Sequence, residues 1–134
     1  MPMRDAASTV TAFYTAIEQG RHGDQLGEYL AEDATTIERP NVLVPAGRVS
    51  DRAAKLAASA AGASLLTVQR YEVHSLREIE DTVAVRLTWR GTVAAEAGPF
   101  HAGQELTAHI AQFVKVRDGR IVEIETYDCY EPFS

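Results

Sequence analysis

The chain has 134 residues, the length of a single domain over residues 1–134, and 46% of them are hydrophobic, which is enough to bury one core. The formal net charge is −6 and the thirteen lysines and arginines are scattered, so neither nucleic acid nor an anionic membrane is an expected partner. The single cysteine, Cys129, excludes an internal disulfide, and no stretch resembles a signal peptide or a membrane span, so we expect a cytoplasmic protein.

The N-terminal part of the sequence predicts two helices. Apolar residues recur at helical spacing over residues 5–19, and Gly20 is placed to end this first helix. Asp24 is a suitable N-cap for a shorter second helix that continues to Leu30. Both segments therefore offer an apolar face to a core.

A short strand and a third helix follow. Residues 34–38 have the composition of a strand, which Pro40 interrupts. Ser50 is then placed to cap a helix from Asp51 to about Ala61, rich in strong helix formers and ended by Gly62.

The C-terminal half predicts a series of long strands, over residues 65–77, 82–95, 104–116 and 120–130. Asp118 and Gly119 tolerate positive φ and predict a type I′ turn between the last two strands. Helices followed by strands indicate an α+β fold, in which N-terminal helices cover one face of a curved antiparallel sheet. Such a sheet forms a cone that encloses a pocket with an open mouth.

The alternation of side chains predicts which residues of the last hairpin face this pocket. If Ile110 and Val114 point inward, Gln112 does so as well, because successive residues of a strand point to opposite faces. On the last strand the inward residues are then Val122, Ile124, Thr126 and Asp128. An amide and an acid within an apolar stripe are the first indication of a ligand site.

Three segments, residues 13–20, 30–35 and 113–123, resemble the NTF2-like superfamily, and within it the SnoaL-like and ketosteroid-isomerase-like branches. The resemblance covers essentially the whole chain. It is specific for fold and poor for function, since the superfamily contains isomerases, cyclases, hydrolases, dehydratases and transport adaptors. It implies a pocket and a homodimer formed through the sheet, and it does not imply a substrate.

The resemblance also implies candidate carboxylates. The catalytic carboxylate of the isomerases lies four residues after the alanine that corresponds to Ala34, and this position is Glu38. The acid near the end of the last strand of the cyclases falls within one or two residues of Asp128. A base is therefore present in both alignments.

The hydrogen-bond donors of the family match only in part. The oxyanion-stabilising tyrosine of the first helix falls on Phe13, with Tyr14 one place along. The second donor, an acid in the isomerases and a histidine in the cyclases, falls on Gln112, which can donate a hydrogen bond but cannot transfer a proton at neutral pH. Neither full catalytic set is present.

Each candidate also has an ordinary structural interpretation. Burial of Asp128 should raise its pKa and make it a usable base, but it can also lie at the mouth, cap a turn or pair with an arginine. Glu38 is either a pocket base or half of an exposed ion pair. Trp89 stacks on a ligand or packs in the core, and Tyr14 donates to a ligand or to a neighbouring group. Gln112 binds a ligand or a neighbouring side chain.

These considerations predict a site for a small apolar or carbonyl-containing molecule. The catalytic candidates are Asp128, Glu38 and Tyr14. The ligand-binding candidates are Trp89, Gln112, Phe13, Ile110, Ile124 and Thr126. The four histidines lack a metal-binding spacing, and there is no phosphate-binding glycine loop or serine-hydrolase elbow, so no metal, no cofactor and no covalent catalysis are expected.

Two functions remain open. The first is a cofactor-independent isomerase or polyketide-type cyclase, in which a carboxylate removes a proton next to a carbonyl and neighbouring donors hold the enolate oxygen. The second is a non-catalytic dimeric ligand-binding protein of the same fold, which the incomplete catalytic sets favour. An adaptor that uses the sheet face is a weaker third interpretation, since Glu123 and Glu125 make that face polar.

Overall fold

The computed structural model describes residues 5–133 and contains a single sheet with helices on one side. In chain order, the elements of these residues are α1 (Ala6–Glu18), a 3₁₀ helix (Gly23–Tyr29), β1 (Leu30–Glu38), β2 (Arg48–Asp51), α2 (Arg52–Leu65), β3 (Leu66–Ile79), β4 (Thr82–Val93), β5 (Glu105–Arg117) and β6 (Arg120–Tyr130). The predicted α+β fold is therefore confirmed.

The sheet has the strand order β2-β1-β6-β5-β4-β3 and is not closed. It is mixed rather than antiparallel throughout, because β1 and β6 run parallel while the other neighbours run antiparallel. The strands from β3 to β6 form the predicted series of hairpins, and the last of them returns beside β1 in the same direction. Parallel neighbours need a long connection, and here the rest of the sheet supplies it.

Three local predictions in the first half were wrong. Asp24 lies inside the 3₁₀ helix rather than at its start. Ser50 belongs to the short edge strand β2, which the sequence did not indicate, and the cap of α2 is Asp51, whose carboxylate accepts from Ala54 N at 2.8 Å. Gly62 does not end α2, which continues to Leu65. A mid-helix glycine costs only about 1 kcal/mol, and packing against the 3₁₀ helix, β1 and β3 offsets it.

The last hairpin confirms the turn and corrects part of the alternation. Asp118 and Gly119 have φ values of 52° and 75°, as a type I′ turn requires. The pairing shifts between Lys115 and Val116, where an extra residue on β6 forms a bulge. Ile121 is therefore fully buried, while Val122, which was predicted to point inward, is only half-buried.

The helices lie on the inner face of the sheet, the face against which α1 packs. Helix α1 contacts β3, β4, β5 and β6 and buries Val10 and Phe13. Its first turn is capped by Asp5, which accepts from Ser8 N at 2.7 Å. Helix α2 lies over β1, β2 and the 3₁₀ helix, so the space between the two helices and the sheet is left for a cavity.

No helix within residues 5–133 is long and apolar enough to cross a membrane. The single-domain organisation and the cytoplasmic location stay predictions from the sequence.

Candidate functional site

A cavity of about 360 Å³ lies between the two helices and the inner face of the sheet. Its wall is largely apolar and includes Phe13, Leu26, Trp89, Ile110 and Phe100. The polar residues that line it are Glu38, Arg48, Lys55, Ser59, Gln69, Tyr71, Gln112, Thr126, Asp128 and Tyr130. An apolar cavity with a few convergent polar groups is the usual form of a small-molecule site.

A chain of hydrogen bonds connects the core to Asp128. The Tyr14 hydroxyl donates to Gln112 Oε1 at 2.6 Å, and Gln112 Nε2 donates to Thr126 Oγ1 at 3.1 Å. The Thr126 hydroxyl in turn donates to Asp128 Oδ1 at 2.5 Å. The inward alternation of β5 and β6 places Gln112, Thr126 and Asp128 side by side. This series of hydrogen bonds therefore orients the Asp128 carboxylate, whose second oxygen has no hydrogen-bond partner among the described residues.

Burial raises the pKa of Asp128 above its ordinary value of 3.8. The hydrogen bond from Thr126 opposes this shift, the negative charge of Glu38 adds to it, and the positive charge of Lys55 opposes it. The net effect is a carboxylate that holds a proton more readily than an exposed one. A raised pKa is what a carboxylate needs to act as a general base near neutrality.

Asp128 should therefore limit the stability of the folded protein at neutral pH. A carboxyl whose pKa is higher in the folded state stabilises the fold below its unfolded pKa, and this contribution is lost as pH rises through the folded pKa. We expect Asp128→Asn, which cannot ionise, to have a higher melting temperature than the wild type at pH 7. In thermal melts followed by circular dichroism, the difference in melting temperature between the variant and the wild type should shrink below about pH 4. An equal difference at both pH values would contradict this assignment.

Glu38 lies at the cavity wall and is held in an ion pair. Arg48 donates from one guanidinium nitrogen to both carboxylate oxygens, at 2.9 and 3.1 Å. The Glu38 side chain is 19% exposed, so both interpretations left open by the sequence apply: it faces the cavity, and it is paired. Because the guanidinium occupies both oxygens, Glu38 is the less available of the two bases.

Lys55 is a cavity residue that sequence reasoning missed. It projects from α2, and no hydrogen-bond or ion-pair partner for its amine occurs within residues 5–133. Burial lowers its pKa, the charges of Glu38 and Asp128 oppose this, and Arg48 adds to it. A usable signal was the spacing of Lys55, Ser59 and Gly62, which places the lysine and two small residues on one face of the helix.

Two tyrosines, Tyr71 and Tyr130, complete the polar wall. Tyr71 stacks on Tyr14 with ring centroids 4.8 Å apart, and Tyr130 meets Trp89 edge to face at 6.4 Å. In the described part of the chain neither the Tyr71 nor the Tyr130 hydroxyl has a hydrogen-bond partner. Burial and the charge of Asp128 raise both pKa values, so both hydroxyls remain protonated donors at neutral pH.

The structure brings most of the predicted site residues to one cavity. Its wall contains Asp128, Glu38, Trp89, Gln112, Phe13, Ile110 and Thr126. Tyr14 and Ile124 are not brought to it. Tyr14 lies behind the Tyr71 ring and its hydroxyl is used by Gln112, while Ile124 packs in the core. The tyrosines that line the cavity are therefore Tyr71 and Tyr130. Arg48, the partner of Glu38, was also missed, because β2 itself was not predicted.

The pairing of Tyr14 with Gln112 makes a measurable prediction. Gln112→Leu removes the acceptor of a buried hydroxyl, and we expect it to lower the free energy of unfolding by about 1–3 kcal/mol. Adding Tyr14→Phe should recover much of this loss, because the unpaired hydroxyl is then gone. Urea unfolding of both single variants and the double variant measures the coupling. Simple addition of the two single costs would contradict the contact.

Within residues 5–133 there is no group of three or more metal-ligating side chains. Cys129 is exposed and points away from the cavity wall that holds Asp128.

Comparisons with solved structures extend over nearly the whole chain. The chain is similar to wild-type IdmH, a putative polyketide cyclase from Streptomyces antibioticus, with 26% identity and a TM-score of 0.77 over 93% of this chain and 92% of that one. It is also similar to a putative polyketide cyclase from Silicibacter sp. TM1040, with 22% identity and a TM-score of 0.67 over 96% and 91% of the two chains. AclR, a putative hydroxylase from Streptomyces galilaeus, shares the fold at 18% identity and a TM-score of 0.73, over 92% and 77%.

No curated protein matches this sequence. The model of the SnoaL-like domain family matches residues 10–124, which is most of the chain. The fold, the cavity and this match agree with the resemblance noted in the sequence. The chain belongs to the SnoaL-like domain family of the NTF2-like superfamily.

Proposed function

We propose that this protein is a cofactor-independent isomerase or polyketide-type cyclase, in which Asp128 removes a proton next to a carbonyl group. The observation that carries the proposal is a desolvated carboxylate in an apolar cavity, beside donors that have no other partner. Asp128 has one uncommitted oxygen, and the hydroxyls of Tyr71 and Tyr130 are unpaired among the described residues. Packing alone does not require this combination.

The roles follow from the chemistry of each group. The Asp128 carboxylate accepts the α-proton, and its raised pKa brings it closer to the pKa of the carbon acid. The Tyr71 and Tyr130 hydroxyls donate hydrogen bonds to the oxygen on which negative charge develops. Gln112, already engaged with Tyr14 and Thr126, orients the carboxylate rather than the ligand. Trp89 and Ile110 supply apolar contact for a flat substrate.

The comparisons support this class of reaction. Two of the similar structures, from Streptomyces antibioticus and Silicibacter sp. TM1040, are described as putative polyketide cyclases. At 26% identity, the first is similar in sequence as well as in fold. A substrate with an apolar body and an enolisable carbonyl fits the composition of the cavity wall.

A non-catalytic binding protein is the second candidate function. Glu38 is held by Arg48, Gln112 stands where the family has an acid or a histidine, and the Tyr14 hydroxyl is already used. On this view Asp128 and the tyrosines bind the polar end of a ligand and no bond is broken.

One experiment separates the two functions. The chain has a single tryptophan, Trp89, which lines the cavity, so its fluorescence reports binding of flat enolisable ketones such as indanone, α-tetralone and acetylnaphthalene. Exchange of their α-protons in deuterium oxide, followed by NMR, reports catalysis. Quenching with exchange above the buffer rate supports the enzyme. Quenching without exchange for every ketone that binds supports the binding protein.

We also infer that two copies associate through the outer face of the sheet. Phe113 and Tyr127 lie there edge to face, 42% and 41% exposed, and Arg39 lies over the Tyr127 ring. Charges of both signs surround this pair, with Arg39 bound to Glu125, so the surface is complementary to a second copy of itself.

Phe113→Glu should therefore shift the protein from dimer to monomer in analytical ultracentrifugation, because it places two charges against each other across a two-fold axis. Val42→Glu is the control, since Val42 is 63% exposed in the loop between β1 and β2, outside the sheet. A Phe113→Glu protein that sediments like the wild type would exclude this interface.

A further inference from the structure

The proposed mechanism leaves the amine of Lys55, which lines the cavity, without a role. Both nearby carboxylates already have partners, since Glu38 accepts from Arg48 and Asp128 accepts from Thr126. Lys55 itself has no hydrogen-bond or ion-pair partner anywhere in residues 5–133. A lysine that serves only structure is expected to be solvated or paired. The Lys55 side chain is half-buried and lines the space that a ligand would fill.

The surroundings of Lys55 favour a nucleophilic amine. The helix face beside it carries Ala58, Ser59 and Gly62, so small side chains leave the amine accessible from the cavity. The opposite walls include Trp89 and Ile110. Desolvation lowers the pKa of Lys55, which increases the neutral, nucleophilic fraction at a given pH. The carboxylates of Glu38 and Asp128 raise the pKa of Lys55, and the guanidinium of Arg48 lowers it further.

We propose that Lys55 captures the carbonyl carbon of the ligand as an imine, with Asp128 as the acid and base of the same site. This inference rests on the proposed function and makes its substrate class narrower, because the ligand must carry an accessible aldehyde or ketone rather than an ester or a carboxylate. A β-dicarbonyl compound, whose first carbonyl binds the amine and whose second accepts hydrogen bonds from Tyr71 and Tyr130, fits the site best.

The steps balance without a cofactor. The neutral amine adds to the carbonyl carbon, and an amine proton moves to the carbonyl oxygen to give a carbinolamine. Protonated Asp128 gives its proton to the hydroxyl, which leaves as water, and an iminium ion and a carboxylate remain. The carboxylate then takes the α-proton, and the C–H electron pair forms the double bond of an enamine.

The enamine has two productive fates. Its carbon can attack a second carbonyl, whose new alkoxide takes the proton from Asp128, or it can be reprotonated at another position. Water then adds to the iminium carbon and gives a proton to the Asp128 carboxylate, and the resulting carbinolamine collapses to the product ketone and the free amine. The first fate is an aldol-type cyclisation and the second is an isomerisation.

The lysine content of the chain allows a direct test. There are only two lysines, and the second, Lys115, is 50% exposed on β5 with Glu123 4.0 Å away. Acetylacetone condenses with neutral amines to give a stable enaminone that intact mass and peptide mapping detect. We expect Lys55 to react at least about tenfold faster than Lys115 at neutral pH, because burial lowers the pKa of Lys55 and increases its neutral fraction. Lys115→Arg should keep the fast adduct, and Lys55→Met should lose it.

A smaller reagent provides the second measurement. Formaldehyde with cyanoborohydride should methylate Lys55 before Lys115 under the same conditions. If either reagent modifies Lys115 before Lys55, or leaves Lys55 unmodified, the proposal is overturned. The thermal melt of Lys55→Met, compared with that of the wild type, shows that the variant is folded.

The inference and the proposed function fail in different ways. If Lys55→Met keeps the α-proton exchange that Asp128→Asn loses, the enzyme is established and the imine is excluded. If both variants lose exchange and Lys55 alone forms the adduct, both proposals hold. If the wild type binds ketones without exchange, the enzyme is excluded whatever the amine does.

Discussion

Asp128→Asn should lower the rate of α-proton exchange in any ketone that the wild type turns over by about 10²–10⁴-fold. The variant keeps the shape of the side chain and an oxygen to accept from Thr126, so the wall of the cavity is preserved. It loses the ability to take up a proton. The same loss is expected whether the carbonyl is free or bound to Lys55, because both routes need a base at this position.

The matched control for this prediction is Glu38→Gln. Glu38 is the other carboxylate of the cavity, but Arg48 holds both of its oxygens, so its replacement should reduce exchange much less than that of Asp128. Binding, measured by quenching of Trp89, should be retained in Asp128→Asn. A larger loss in Glu38→Gln than in Asp128→Asn would reverse the assignment of the base.

Asp128→Asn is expected to remove activity and also to increase stability at neutral pH. A carboxylate that is buried without a cation bound to it destabilises the folded state, and burial raises the pKa of Asp128 for this reason. Residues that destabilise a fold are retained where they have a function. Opposite signs for activity and stability would therefore distinguish a functional Asp128 from a structural one.

The alternation of residues in strands made much of the site predictable. Because Ile110 and Val114 point inward, Gln112 must do so too, and Thr126 and Asp128 follow from the opposite strand. The structure places all three polar residues at the cavity wall. The prediction holds because both strands are long and the buried apolar residues of each strand identify its inner face independently of the turn.

The residues that were missed depend on contacts between distant parts of the chain. Lys55 lies in an Ala-rich helix, and a helix of that composition does not show which of its faces will cover the cavity. Motifs for serine and cysteine nucleophiles do not detect an isolated amine such as that of Lys55. Tyr14 was expected to reach a ligand, but Tyr71, which is far away in sequence, covers it.

The bulge near the last turn is the other feature that alternation alone did not show. A strict alternation along β6 puts Val122 on the inner face together with Ile124. The extra residue after the turn moves Ile121 to that face instead, paired with Leu30 of β1 and Val116 of β5. A bulge has no obligatory sequence signal, and only the pairing with both neighbouring strands determines where it occurs.

The burial of Ile121 in place of Val122 gives the largest expected effect on stability. Ile121 is fully buried between two strands, so Ile121→Ala removes well-packed carbons and leaves a cavity. We expect the free energy of unfolding to fall by about 2–5 kcal/mol. Val122→Ala is the matched control, because it also replaces a β-branched residue with alanine, at the next position of the strand, where the side chain is half-buried. Its cost should be about 1 kcal/mol or less.

Urea unfolding followed through Trp89 fluorescence measures both variants, since that side chain is half-buried against the rest of the fold. A strand without the bulge would reverse the order of the two costs, with Val122→Ala the more damaging. The comparison therefore tests the register of β6 itself. A reversed order would place Val122 rather than Ile121 in the core, while Ile124, Thr126 and Asp128 would keep the inner face in both cases.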